Sequence, residues 1–148
     1  MHPMACIQCL PHGHLDQELP LSLFAKTVPM SNPSTAADHA FDRAMAMAPA
    51  GKNQYATRAS KDYWNMVGPY GGITAAQMAQ AVLQHPDRLG ELVAITVNFA
   101  GAVGENPYVI EAIPARTNRS TQHWIITMRE QDADGQWHTT TTATAMTA

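Results

Sequence analysis

The stretch from Trp64 to Gln84, WNMVGPYGGITAAQMAQAVLQ, constrains this chain more than any other. Gly68, Pro69, Gly71 and Gly72 make a turn cluster in which missing side chains let backbone approach backbone or a ligand closely. An alanine-rich helix then runs to Leu83. Its polar residues Thr74, Gln77, Gln80 and Gln84 recur every three or four positions, which places them on one narrow stripe. Ile73, Ala76, Met78, Ala79, Val82 and Leu83 cover the rest, so the helix is expected to be buried. At about 1.5 Å per residue it spans about 20 Å, enough to cross a small sheet. Its first amides have no earlier turn to bond. Behind a glycine pair they are open to an anion or a polarised carbonyl, or the glycines serve close packing alone.

A chain of 148 residues is one domain by size and long enough for a real core. Charged residues make up only 14%, and a net charge of -3 argues against a general binder of nucleic acid or anionic membrane. No apolar run approaches the roughly 20 residues of a membrane span. No basic region followed by an apolar stretch opens the chain, so no secretory signal is read. Both cysteines, Cys6 and Cys9, stand in the first nine residues and leave none to staple the body. A cytoplasmic location is therefore expected.

Residues 1–37 differ in character from the rest of the chain, carrying Pro3, Pro11, Pro20, Pro29 and Pro33 as well as both cysteines. Cys6 and Cys9 with His12 and His14 have the ligand types of a zinc knuckle. One such cluster, with no second cysteine pair and no hairpin pattern around it, does not call for a metal. The segment reads as a disordered extension, and Met30 is an alternative natural start. No cofactor is implied.

The folded domain is placed at residues 38–148. Asp38 to Met47 reads as a short amphipathic helix ended by Pro49 and Gly51. Asn53 to Ser60 alternates as a first strand. After the long helix and His85-Pro86-Asp87, the period changes to two. Strands are expected at Leu92–Val103, Tyr108–Arg116, Gln122–Glu130 and Trp137–Thr147, with Asp132-Ala133-Asp134-Gly135 as a hairpin turn. Short connections make these four an antiparallel meander. The expected class is α+β, an antiparallel sheet of about five strands wrapped around one long central helix.

The ordered set of Trp64, Gly68-Pro69-Tyr70-Gly71-Gly72, His85-Pro86, Leu92 to Val103, and Arg116-Thr117-Asn118-Arg119-Ser120-Thr121-Gln122 resembles the acyl-CoA thioesterase family of the thioesterase II type, which has the hotdog fold. The resemblance covers about Phe41 to the end and is to the N-terminal hotdog half. In that family a second half supplies the acid, threonine and glutamine that position water. Here no aspartate or glutamate lies between Gly71 and Gln84.

The resemblance implies an acyl-CoA thioesterase-like protein that hydrolyses or binds acyl-CoA thioesters where two hotdog units meet. The alternative is a non-catalytic module that binds acyl-CoA or acyl carrier. Amides at Gly71 and Gly72 would polarise the carbonyl. Asn65, seven residues before Gly72, resembles the catalytic asparagine of single-hotdog thioesterases with a histidine-glycine-glycine motif; Tyr70 stands in place of that histidine. The other reading of Asn65 is a side chain that stabilises the turn. Gln77 would orient water, although an amide is no general base near neutral pH. Arg116 and Arg119 would pair with CoA phosphates, with Ser120 beside them, or form an ordinary solvated turn. Tyr70 is expected at the substrate. His123 and His138, on strands, are each a base or a structural side chain. A hydratase is disfavoured because no aspartate–histidine pair stands in that arrangement. The expected assembly is a homodimer or higher homo-oligomer through edge pairing of Leu92 to Val103.

Overall fold

The computed structural model describes residues 39–148. The expected N-terminal extension, its cysteine–histidine cluster and Met30 lie outside the described residues. Helix α1 spans Ala40–Met45, strand β1 Ala48–Gly51 and strand β2 Gln54–Thr57. A single 3-10 turn at Lys61–Tyr63 leads to the long helix α2, Gly71–Leu83. Strands β3 (Leu92–Phe99), β4 (Tyr108–Thr117), β5 (Gln122–Gln131) and β6 (Trp137–Thr147) complete the domain. The strands form one six-stranded sheet in the order β1-β2-β4-β5-β6-β3, antiparallel throughout.

The helix wrapped by a sheet is as expected. Strands β2 and β3 end at Thr57 and Phe99, short of the expected Ser60 and Val103, and three larger details differ. The sheet gains β1, whose Ala48, Pro49, Ala50 and Gly51 carry none of the branched or aromatic residues that mark strands. It folds back on β2 through Asn53, held at φ 61° in the left-handed region that asparagine tolerates. The first helix is shorter than expected, because Thr57 Oγ1 donates to the Ala46 carbonyl just beyond α1, where the chain turns into β1.

The third difference is topological. Only β4, β5 and β6 form a meander, and β3 pairs with β6 rather than with β4. Period-two alternation says which face a strand buries, not which neighbour it has. The link from Ala100 to Pro107 is long enough to cross β6 and β5 at about 4.8 Å per strand. Its start is tied down by the Thr140 carbonyl, which accepts from Ala100 N and Gly101 N at 2.9 Å each.

The core lies between α2 and one face of the sheet. Trp124, Ile126 and Met128 of β5, Tyr108, Ile110 and Ala112 of β4, and Ala143 and Ala145 of β6 meet Met78, Ala81 and Val82 of α2. The alternation expected for β5 and β6 holds: His123 and Ile125, like Thr144, are exposed on the opposite face. The polar stripe of α2 instead turns inward over its first half, where Thr74 and Gln77 are buried, while Gln84 is exposed.

The C-terminal end of α2 is closed by a fully used polar set. Gln122 Nε2 donates to the Asp87 carbonyl, and its Oε1 accepts from Leu89 N. Trp124 Nε1 donates to Thr147 Oγ1 at 3.3 Å. His85 lies edge-on to Trp124 with ring centres 5.0 Å apart; Asp87 N donates to its Nδ1, and its Nε2 contacts Asn53 Oδ1 at 3.0 Å.

Candidate functional site

Tyr70 sets the entry to α2. Its amide donates to the Tyr63 carbonyl at 2.8 Å, and its own carbonyl accepts from both Ile73 N (3.0 Å) and Thr74 N (3.4 Å). The helix has no side-chain cap. Consequently the Gly71 and Gly72 amides have no partner among the described residues. Unbonded first-turn amides carry the positive end of the helix dipole.

Gly71 lines a groove of about 260 Å³, and Gly72 follows it in the chain outside the lining. One wall is the turn that carries Asn65, Gly68 and Pro69; Gly71 and Thr74 form the helix side. The other wall is the end of β3 and the link after it, Phe99 with Gly101, Ala102 and Val103. The walls fit because side chains are absent. A Cβ on Gly71 would stand 3.1 Å from Phe99 Cζ, and one on Gly72 would run into the Tyr70 ring. Glu130, only 4% exposed, accepts from Gly104 N at 2.9 Å through Oε2 and so pins the link behind the groove.

Asn65 holds the turn and also lines the groove. Its Oδ1 accepts from Val67 N (3.0 Å) and Gly68 N (3.2 Å), leaving its side-chain nitrogen without a partner among the described residues. Tyr70 is 63% exposed at the helix start. Gln77 is brought to a different place. It is fully buried, and its Nε2 donates to the Ala44 carbonyl (2.8 Å) and the Arg58 carbonyl (3.2 Å). Its Oε1 accepts from Tyr108 Oη at 2.6 Å. Burial pushes the Tyr108 hydroxyl well above its usual range, which keeps it a donor.

Arg116, Arg119 and Ser120 are not brought to the groove. Arg116 stands near the end of β4, and Arg119 and Ser120 sit in the β4–β5 turn, at the C-terminal end of α2 about 20 Å away along the helix. There Arg116 Nε donates to Asn118 Oδ1 at 3.0 Å. Arg119 and Ser120 line a second hollow of about 150 Å³ with Leu89, Gly90 and the chain end at Ala148. His123 and His138 are exposed and line neither hollow.

Sequence reasoning missed the second wall. Phe99 was legible only as the last residue of an alternating strand, although an aromatic just before Gly101 is a usable signal. Glu130 carried no signal, since its value lies in the Gly104 amide, 26 residues away in the chain.

Residues 60–148 match the family model of the acyl-CoA thioesterase N-terminal domain. The chain belongs to that family. This hotdog domain is similar to a conserved hot dog fold protein of unknown function from Alicyclobacillus acidocaldarius, at 51% identity and a TM-score of 0.67. The match covers 74% of this chain and 39% of that one. A thioesterase II candidate from Thermobifida fusca YX matches at 24% identity and a TM-score of 0.62, over 73% of this chain and 38% of the other. An asparagine mutant of acyl-CoA hydrolase from Staphylococcus aureus, solved with coenzyme A, shares the fold at 10% identity and a TM-score of 0.56, over 63% and 60% of the two chains. Among curated proteins no sequence matches significantly. The chain spans about two fifths of the length of the first two structures. Fold and superfamily are thus those of thioesterase hotdog domains, related to acyl-CoA hydrolases. Among the described residues no helix is long and apolar enough to cross a membrane.

Proposed function

We propose that this domain binds acyl-CoA thioesters and takes part in their hydrolysis together with a second hotdog unit. The carrying observation is the helix start, where the Gly71 and Gly72 amides have no partner among the described residues and Gly71 lines a groove of mostly small and apolar residues. Such donors stabilise a thioester carbonyl more as negative charge grows on its oxygen, which is the requirement for catalysis rather than mere binding. Asn65, which lines the groove and whose side-chain nitrogen has no partner among the described residues, would touch the same ligand, and Tyr70, exposed at the helix start, would meet the substrate there.

Two observations favour a second unit. Among the described residues the outer edge of β3 is unpaired, and Val93 and Phe99 along it are 58% and 57% exposed. An open, partly apolar strand edge invites antiparallel pairing with another strand. Pairing two β3 edges about a two-fold axis carries the second unit's Arg116–Ser120 turn toward this unit's groove, where it can meet CoA phosphates. A homodimer supplies this, and so does a second hotdog half.

The second reading is a binding module whose catalytic groups come from elsewhere. It is favoured by the groove lining, which among the described residues includes no carboxylate or imidazole. Release of free thiol from a panel of acyl-CoAs separates the two readings. Hydrolysis by the parent, with turnover falling on the order of 10²-fold in Gly72→Val, supports the first. Binding without thiol release supports the second. A folded Gly72→Val that hydrolyses as fast as the parent refutes the carbonyl role of the helix start.

A further inference from the structure

Thr74 is the polar side chain at the groove that the fold leaves unused. It is 1% exposed, lines the groove one turn into α2, and its hydroxyl has no hydrogen-bond partner among the described residues. A helical threonine normally satisfies its hydroxyl by donating to the carbonyl four residues earlier. Here that carbonyl belongs to Tyr70, and its two lone pairs already take Ile73 N and Thr74 N. The usual outlet is closed by the geometry of the cap. Helical side chains lean toward the N-terminus, so the hydroxyl stands over the turn that carries the Gly71 and Gly72 amides. The hydroxyl is not among the fully enclosed unpartnered atoms, which are those of Thr140 and Thr141, so it opens to the groove, where a ligand can take it up.

We propose that the Thr74 hydroxyl is a third donor to the thioester carbonyl oxygen, converging with the amides of Gly71 and Gly72. This rests on the acyl-CoA reading above and adds a side chain that sets the preference for a carbonyl next to sulfur. Thr74→Val keeps the shape and removes only the donor. Thr74→Ser keeps the donor and removes only a methyl.

The test needs no turnover. Affinity is measured for an acyl-CoA and for the S-alkyl-CoA of the same chain length, a thioether that lacks the carbonyl oxygen. The parent is expected to prefer the thioester. Thr74→Val should lose about two- to tenfold of that preference, the worth of one hydrogen bond, and Thr74→Ser should retain it. The melting temperature of Thr74→Val should stay close to the parent's, because the shape is kept and no bond within the domain is lost; a threonine that served only packing would leave the carbonyl preference unchanged in both variants. Should Thr74→Val fail to fold, Thr74→Ala reads out the same ratio. A folded Val or Ala variant with the parent's full preference overturns the role of Thr74 and leaves the acyl-CoA reading standing. A parent that binds both compounds equally also overturns it. A parent that binds neither overturns both.

Discussion

Gln77 joins three parts of the fold through one side chain, so its replacement has a calculable cost. Gln77→Leu keeps roughly the same volume and removes both donors and the acceptor. It strands the Tyr108 hydroxyl, which is 0% exposed, and the carbonyl of Ala44, a residue 3% exposed. Each buried group left without a partner costs about 1–3 kcal/mol. The Arg58 carbonyl is only partly buried and bonds at a longer 3.2 Å, so water can replace that bond. Two full penalties, less a small gain from the apolar side chain, come to about 3–4 kcal/mol. That is a large share of the 5–15 kcal/mol typical of a domain. With a urea dependence of about 1.5 kcal/mol per molar, the unfolding midpoint should fall by about 2 M. Tyr108→Phe alone should cost about 1–2 kcal/mol. The double variant should cost at least about 1 kcal/mol less than the sum, because neither partner is then stranded. A midpoint shift below about 0.5 M in Gln77→Leu, or an additive cycle, would refute this account of the buried amide. Under the proposed function, the folded Leu variant should match the parent in acyl-CoA affinity, since Gln77 does not line the groove.

Two further outcomes test the polar interior. His85 is kept neutral: burial lowers its pKa from the usual 6.5, and nearby Asp87 offsets only part of this. The unfolded chain therefore takes up the proton first, so the contribution is complete above about pH 6.5 and is lost as pH falls through that value toward the lower folded one. Urea midpoints should drop between pH 7.5 and 5.5 in the parent and drop less in His85→Gln; equal slopes would remove His85 as the cause. Thr141→Val should be neutral or stabilising by up to about 1 kcal/mol, because the Thr141 hydroxyl is fully buried without a partner. Thr147→Val should cost about 1–2 kcal/mol, because its hydroxyl accepts from Trp124 Nε1. Equal melting temperatures for these two variants would contradict the assignment.

What was legible in the sequence is what local chemistry decides. Helix α2 begins at Gly71 and ends at Leu83 as the glycine pair and alanine run indicate. Strands β4, β5 and β6 lie within about a residue of their alternating runs. Strand β1 was illegible because Ala-Pro-Ala-Gly becomes a strand only through its pairing with β2. The partner of β3 was illegible because alternation carries no information on sheet order. In the site, the glycines announced close approach, and Asn65 announced both a turn and a donor. The inward aim of Gln77 was hidden: a glutamine every third or fourth position suits a wet stripe as well as a buried bolt. Only the Ala44 and Arg58 carbonyls and the Tyr108 hydroxyl distinguish them. The distance between the basic turn and the groove was hidden in the same way, because it depends on which end of α2 each loop meets.

The two ends of α2 differ in how completely their polar groups are used, and the difference bears on where the chemistry lies. At the C-terminal end, His85, Gln122, Trp124 and Thr147 bond to one another or to nearby backbone. At the N-terminal end the Gly71 and Gly72 amides have no partner among the described residues, the Thr74 hydroxyl opens unbonded to the groove, and the hydroxyls of Thr140 and Thr141 are buried without a partner there. The last two belong to the same end: Thr141 pairs in register with Phe99 of the groove, and the Thr140 carbonyl holds Gly101 of its wall. Buried polar groups in folded proteins are nearly always partnered, so several unpartnered ones gathered at one end are not random packing error. A fold selected for stability alone would place a capping serine or aspartate before Gly71 and valine at 141. The chain instead carries Tyr70, two glycines and threonines there. Sequences depart from local stability rules mainly where function requires it. Substitutions that repair this end should therefore raise the melting temperature while weakening ligand discrimination, whereas repairs at the closed end have nothing to gain.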